Sequence, residues 1–314
     1  MNILLATDGS ACAKAATAFL AEFPLPSHAN VTVITVIEEV LSREELKQAT
    51  DKNRSTFERE RRQAVIEAER LLAAEVELLT QAGLDTSSET GYGFPAEEIV
   101  SMAADSDIDL IVMGSHGHST LERFLLGSVS DRVLEYAPCS VLIVKPGPGG
   151  EPAAEPHFPA SADGRWRILL AYDDSPAARK ALEFCVGLPL NERARVKALS
   201  VLPLIRMFRQ DVRQQLGWVW QEKKQAAELA LEWLVKEMDW KTPDIATELV
   251  ESEDVSQAIL DAADAFDSDL IVLGNKSKKA LQRFLLGSST ARIARHAQCS
   301  ILAVREAADD ETPD

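Results

Sequence analysis

Three sequence blocks recur in the same order in this chain, and that recurrence restricts its fold more than any other feature. Residues 3–10 read ILLATDGS, and residues 168–175 read ILLAYDDS. DLIVMGSHGHSTLERFLLGS at 109–128 returns as DLIVLGNKSKKALQRFLLGS at 269–288, and CSVLIV at 139–144 returns as CSILAV at 299–304. The period far exceeds the roughly 20–50 residues of a solenoid unit, so a whole domain is duplicated. A length of 314 residues gives each copy enough chain for its own core. Between the copies lies KPGPGGEPAAEPHFPASADG, about residues 145–164. It is rich in Pro, Gly and Ala and lacks hydrophobic periodicity, so it reads as a linker. The expected organisation is a first domain over 1–145, a linker over 146–165, a second domain over 166–306 and an acidic tail over 307–314.

Each copy alternates strand-like and helix-like segments. In the first copy, 2–7 and the β-branched run 31–37 predict strands, and Ser10 predicts an N-cap for a helix over 11–22. A charged, helix-favouring stretch covers 43–81 and ends at Gly83, a C-cap residue. A weaker strand follows at 84–90, then a helix opened by Pro95 over 95–104, a buried-type strand at 109–113, a helix at 128–136 and a strand at 140–144. The second copy gives 167–172, 196–202, a long helix near 206–239, 245–250, 255–265, 269–273, 289–296 and 300–304. Runs such as LIVM and VLIV are apolar on both faces, as central parallel strands are. The predicted fold class is α/β: two tandem doubly wound, Rossmann-like domains, each a five-stranded parallel sheet flanked by helices.

In such sheets ligands sit at the carboxyl ends of the strands. The glycines of the first copy gather there, as Gly114-Ser-His-Gly117, nine residues, then Gly127-Ser128-Val129-Ser130. Gly114 and Gly117 allow a sharp turn and close approach to a ligand. Gly127-Ser128 opens a helix whose free N–H groups favour phosphate, with the Ser128 and Ser130 hydroxyls as further donors. The net charge of −17 argues against nucleic acid and anionic membrane surfaces. A nucleotide site in so acidic a chain has to be built from backbone N–H groups, hydroxyls and a cation such as Mg²⁺.

The G-x2-G-x9-G-S spacing after DLIVMG, the TDGS block and the closing CSVLIV strand resemble the ATP-binding universal stress proteins, and the resemblance covers nearly all of the chain outside linker and tail. It implies an adenine nucleotide hydrolase-like topology and an ATP ligand. It also implies that Ala6, Thr7 and Asp8 flank the nucleoside and that Val36 meets adenine through its backbone. Met113, Gly114, Gly117, Gly127, Ser128, Val129 and Ser130 would then hold ribose and phosphates. The counterparts in the second copy are Asp173, Val201, Gly274, Ser277, Gly287, Ser288, Ser289 and Thr290. That copy departs from the pattern, with Ser277 where Gly117 stands and Asp174 where Gly9 stands. A Cβ at 277 obstructs if φ is positive there, and a carboxylate at 174 repels phosphate unless Lys276 offsets it. The first copy is therefore expected to dominate binding. The resemblance further implies that the two copies pair through their final strands, with a homodimer and an unidentified protein partner left open.

Other features have plainer readings. Asp8 serves equally well as a cap for the first helix or as a ligand contact. Gly91-Tyr-Gly93-Phe-Pro-Ala96 fits a dinucleotide fingerprint but precedes the third helix, so it reads as a turn. His116 and His118 read as solvent-facing loop residues, with a metal pair as the alternative. Arg54, Arg59, Arg61, Arg62 and Arg70 alternate with Glu and read as a solvated helix face. Trp218, Trp220, Trp233 and Trp240 read as core or interdomain packing ahead of a partner surface. The chain has no GxxxxGK[ST], HExxH, GxSxG or CxxC motif, so no catalytic residue or metal ligand is assigned, and ATP hydrolysis is expected to be slow if it occurs. The absence of a basic leader and four scattered cysteines predict a cytoplasmic protein with reduced thiols. An ATP-binding stress regulator is the first functional expectation. A nucleotide-free scaffold acting through protein contacts is the second, and a true hydrolase of similar topology the third.

Overall fold

The fold is that of a computed structural model, which describes residues 1–38, 51–117, 126–146, 158–161, 163–204, 217–239, 241–242, 244–275 and 288–305. The first domain contains β1 (Asn2–Ala6), α1 (Ala11–Glu22), β2 (Asn30–Ile37), α2 (Asp51–Gln81), β3 (Asp85–Tyr92), α3 (Pro95–Asp105), β4 (Leu110–Gly114), α4 (Ser128–Tyr136) and β5 (Ser140–Val144). The second contains β6 (Trp166–Ala171), α5 (Pro176–Gly187), β7 (Ala194–Pro203), α6 (Gly217–Met238), β8 (Ile245–Ser252), α7 (Val255–Ala265), β9 (Leu270–Asn275), α8 (Ser288–His296) and β10 (Ser300–Arg305). Helix α5, the counterpart of α1, adds to the segments read from the second copy. The parts of the two long helical stretches at 43–50 and 206–216 lie outside the described residues, as do Trp240, His118 and the acidic tail.

Local chemistry sets several of these boundaries. Ser10 and Ser175 cap α1 and α5 by accepting from the N–H of Ala13 and Ala178. Pro95 and Pro176 open their helices, where a missing N–H costs nothing. Gly83 ends α2 at φ +88°, a left-handed conformation that glycine adopts without a Cβ clash.

The strands form one ten-stranded sheet in the order β3-β2-β1-β4-β5-β10-β9-β6-β7-β8. Neighbours within each domain run parallel. The central seam is antiparallel, Ile301 facing Ile143, Leu302 facing Leu142 and Ala303 facing Val141. Pairing β5 with β10 removes two apolar edges that would otherwise invite association. It also turns the domains by a pseudo-twofold, so the carboxyl ends of β1 and β4 lie at one margin of the sheet and those of β6 and β9 at the opposite margin.

Two cores follow, one per face, and each runs through both domains. On the face of α1, α2, α5 and α6, Trp166 of β6 packs edge-on against Phe19 of α1 and Phe23 just after it, with ring centroids 4.7 and 5.2 Å away, and Phe158 stacks on Trp166. The tryptophans of α6 do not share this role: Trp218 is 67% exposed, Trp233 is 44% exposed, and Trp220 is half-buried. Packing is therefore a correction to make for Trp218 and Trp233, because α6 buries only Leu231, Leu234 and Met238. Arg59, Arg61, Arg62 and Arg70 are exposed on α2, as a solvated face requires.

Candidate functional site

The switch point of the first domain lies between β1 and β4, because β1 continues to β2 on one side and β4 to β5 on the other. Four pieces of chain meet at its carboxyl margin: Ala6-Thr7-Asp8 after β1, the end of β2, Gly114–Gly117 after β4, and the first turn of α4. The Thr7 N–H donates to the Ile34 carbonyl at 2.9 Å. Strand alternation then aims the backbone of Val36 the same way, beyond Ala6↔Ile34, the last paired position of β1 and β2. Val36 thus presents its peptide groups where the resemblance expects a base. The Asp8 carboxylate accepts from the Ser10 N–H at 2.9 Å, while Ser10 caps α1. The cap is Ser10, so Asp8 organises the turn before the helix and is not itself its cap.

The glycines differ in their roles. A Cβ on Gly114 would lie 2.5 Å from the Cys12 carbonyl carbon and 2.8 Å from the Ala13 nitrogen. Gly274 is equally confined by Ala177 and Ala178, at 2.3 and 2.7 Å. The first motif glycine therefore lets the strand end press against the first turn of α1 or α5. The close approach seen here is to the protein's own backbone. Gly117 is not among the positive-φ glycines, and a Cβ there would lie 2.6 Å from Asp8 Oδ2. The requirement at 117 is room beside the Asp8 carboxylate, not a left-handed turn.

Gly127 N-caps α4 with no side-chain cap bond, so the first-turn amides are left to another acceptor. The Ser115 carbonyl accepts from the Gly127 N–H at 2.8 Å and from Ser130 Oγ at 2.8 Å, tying the end of β4 to the start of α4. The buried Ser130 hydroxyl also reaches the Gly127 carbonyl at 3.0 Å, so its proton is directed at protein carbonyls. Ser128 is exposed, and Val129 is half-buried beside it. Ser115 was not singled out in the sequence, because only the fold brings its carbonyl to α4.

His116 is turned inward rather than toward solvent. Its Nδ1 lies 2.9 Å from Ser115 Oγ, and its buried Nε2 has no hydrogen-bond partner among the described residues. Burial, and then the charge of Lys145, lower its pKa, so the ring stays neutral further into acid. Among the described residues no cluster of three or more His, Cys, Asp or Glu gathers. Glu75 of α2 is a buried carboxylate under this margin. Burial raises its pKa, against the pull of Thr17, Lys14 and Thr7. Nothing in a helix so rich in Glu marks Glu75 apart.

The second margin repeats the frame with other side chains. Tyr172 N–H donates to Leu199 O at 2.9 Å, placing Val201 as Val36 is placed, and Asp173 accepts from the Ser175 N–H at 3.1 Å. Tyr172 stands where Thr7 does, and its hydroxyl donates to Asp174 Oδ1 at 2.9 Å. Arg179 grips the same carboxylate through Nε at 2.9 Å and Nη2 at 3.0 Å. The Arg179 hydrogen bonds hold Asp174 below the usual carboxylate range. The carboxylate at 174, expected to repel phosphate unless Lys276 offsets it, is paired with Arg179. Ser288 and Ser289 are exposed and Thr290 buried, as Ser128, Val129 and Ser130 lead one to expect only in part. Lys276, Ser277 and Gly287 lie outside the described residues.

A duplicated doubly wound fold whose strand ends converge on a helix N-terminus defines a tandem protein of the Rossmann-like α/β class. The chain matches the universal stress protein family over residues 1–145 and again over 165–305. It belongs to that family, with two such domains in tandem. A Staphylococcus haemolyticus protein of the same family is 33% identical over 150 residues, which is 46% of this chain and 84% of the relative. A universal stress protein of Methanocaldococcus jannaschii is 51% identical over 63 residues, 20% of this chain and 37% of that protein. The crystal structure of a universal stress protein from Archaeoglobus fulgidus superposes with a TM-score of 0.63 at 21% identity, covering 99% of this chain and 97% of that one. The whole tandem architecture therefore recurs in that fold.

Proposed function

We propose that this chain is an ATP-binding stress-response regulatory protein whose first domain holds the nucleotide. The observation that carries the reading is the side-chain-uncapped first turn of α4, tied through Ser115 to the end of β4 and facing the margin of Asp8. Ala6, Thr7, Asp8 and Val36 would flank the nucleoside, and Met113, Gly117, Gly127, Ser128 and the Val129 and Ser130 backbones would enclose ribose and phosphates. Gly114 supports this margin from behind. Mg²⁺ would offset phosphate charge in a chain of net charge −17. The second domain, with Asp173, Val201, Gly274, Ser288, Ser289 and Thr290 in the equivalent places, would bind weakly, because Tyr172 and the Asp174–Arg179 pair occupy its margin.

The domains divide at the linker over 146–165. The four free thiols support a reducing, cytoplasmic setting. With no assigned base for water attack, bound ATP would act by setting a conformation rather than by rapid turnover. Calorimetry on nucleotide-stripped full chain tests this. Binding of one ATP per chain, strengthened by Mg²⁺, is expected; no heat with ATP or ADP would leave the nucleotide-free scaffold as the better reading.

A further inference from the structure

Helix α4 presents the candidate anion site at its first turn, and the second domain holds this helix at both ends. At the far end Arg305, the last residue of β10, donates from Nη2 to the carbonyls of Leu134 at 3.1 Å and Glu135 at 2.8 Å. Last-turn carbonyls lack partners within a helix, and a cation there complements the helix dipole. At the near end Arg295 of α8 meets Asp131, an acid in the first turn of α4. Its Nη2 lies 2.8 Å from Oδ1 and 3.0 Å from Oδ2, and its Nε lies 3.2 Å from Oδ1. The reverse grip is thinner. Lys145, the counterpart of Arg305, donates to the Ala297 carbonyl just past α8 at 2.7 Å. The repeat puts Ala291 opposite Asp131 and Glu135 opposite Arg295, so the first domain cannot return the second contact.

We infer that the second domain regulates the nucleotide site of the first, with Arg295 and Arg305 as positioning residues that act across the seam on α4. Asp131 directly follows Ser130, in the turn whose amides would face phosphate. Left unpaired, its carboxylate would oppose an anion there; paired with Arg295, it does not. Any movement of α8 against α4 changes that pairing and so changes the charge felt at the first-domain margin. The charge pairing is asymmetric, because Asp131 and Arg295 exist in one copy each, whereas the grip on the helix end is returned by Lys145. It rests on the first-domain nucleotide site proposed above.

The test is ATP titration of the full chain carrying Arg295→Met, Asp131→Asn, both together, or Arg305→Met, with hydrogen exchange followed over 128–136. For Arg295→Met we expect ATP affinity to fall about two- to fivefold at low salt and less at high salt, as for a partly exposed charge near the ligand. Asp131→Asn should bind at least as well as wild type, and it should restore affinity in the Arg295→Met background, which a merely structural role would not allow. Arg305→Met should speed exchange in the last turn of α4 without affecting α1. A wild-type chain that binds ATP while Arg295→Met is unchanged overturns the coupling alone. Failure of Asp131→Asn to restore affinity also overturns it, and unchanged exchange in Arg305→Met removes Arg305 from it. A wild-type chain that binds neither ATP nor ADP overturns the site and the coupling together.

Discussion

At the margin of the first domain stands Thr7, a small hydroxyl; at the same place in the second stands Tyr172, an aromatic ring whose hydroxyl is held by Asp174. Next in the chain but one, Gly9 at φ +73° is matched by Asp174 at φ +58°. Both copies thus keep the same left-handed turn, one with the residue suited to it and one with a residue that is strained there. The strain at 174 has visible compensation, since Arg179 and Tyr172 both bind the Asp174 side chain. Lys14 stands in the first copy where Arg179 stands in the second, and Gly9 offers it no carboxylate. The frame of strands, turns and helix starts is therefore shared, and the divergence is confined to side chains that either leave the margin open or fill it with their own ion pair.

The largest expected effect would break the comparison if it appeared in only one copy. Gly114→Val and Gly274→Val each force a Cβ into helix backbone, which cannot yield as a side chain does. Each should cost about 3 kcal/mol or more, read as a drop in the urea midpoint, and the two losses should be similar. A large loss at 114 with little at 274 would mean that the shared frame is not shared.

Gly117→Val sharpens the functional side. Its Cβ meets Asp8 Oδ2, so the carboxylate has to leave its place. ATP affinity should fall about tenfold, equivalent to ~1.4 kcal/mol, while Gly287→Val should change it little. The reverse result would assign nucleotide binding to the second domain.

A smaller effect probes the turn itself. Gly9→Asp should destabilise by about 1–2 kcal/mol, the ordinary cost of a left-handed non-glycine residue. Adding Lys14→Arg should recover part of that by rebuilding the Asp174–Arg179 arrangement. Chemical denaturation of the single and double variants measures both, and no recovery would mean that the ion pair is not what relieves the turn.

A last effect concerns pH. Burial pushes the Lys145 amine from 10.5 down to about 8. A depressed folded-state value means that the fold disfavours the charged amine. Its contribution is complete above the ordinary value and is lost as the pH falls through about 8. Stability should therefore rise between pH 8 and 10.5, and Lys145→Met should flatten that rise. An unchanged slope would show that the amine titrates normally.

Much of this was legible in the sequence because it is local or periodic. The β-branched run at 31–37, Pro95 at a helix start, Gly83 at a helix end and the recurring strand blocks all encode their own conformation. The repeat also pointed to the seam, since two apolar closing strands with no cover need each other. What was not legible depends on contacts far apart in the chain. Gly114 looks like a loop glycine until helix α1 is placed against it. Ser130 looks like a phosphate donor, and only the fold directs its hydroxyl at the Ser115 carbonyl. Trp218 looks like a core residue by type alone, yet it is 67% exposed on α6. Asp174 stands out in the sequence as a departure, but its partners Tyr172 and Arg179 do not, and only the turn at φ +58° brings the carboxylate under both.

The antiparallel seam of β5 and β10 has a consequence for how such a molecule diversifies. Two identical subunits joined by this pairing can be separated, exchanged with relatives and changed only in concert, since one gene writes both surfaces. Joining the subunits in one chain fixes their ratio at one to one and gives each half of the seam its own codons. The strands that relatives could compete for are already taken, so mixed assemblies through this edge are shut out. The side chains of one half can then change without changing those of the other, and both halves remain permanently attached.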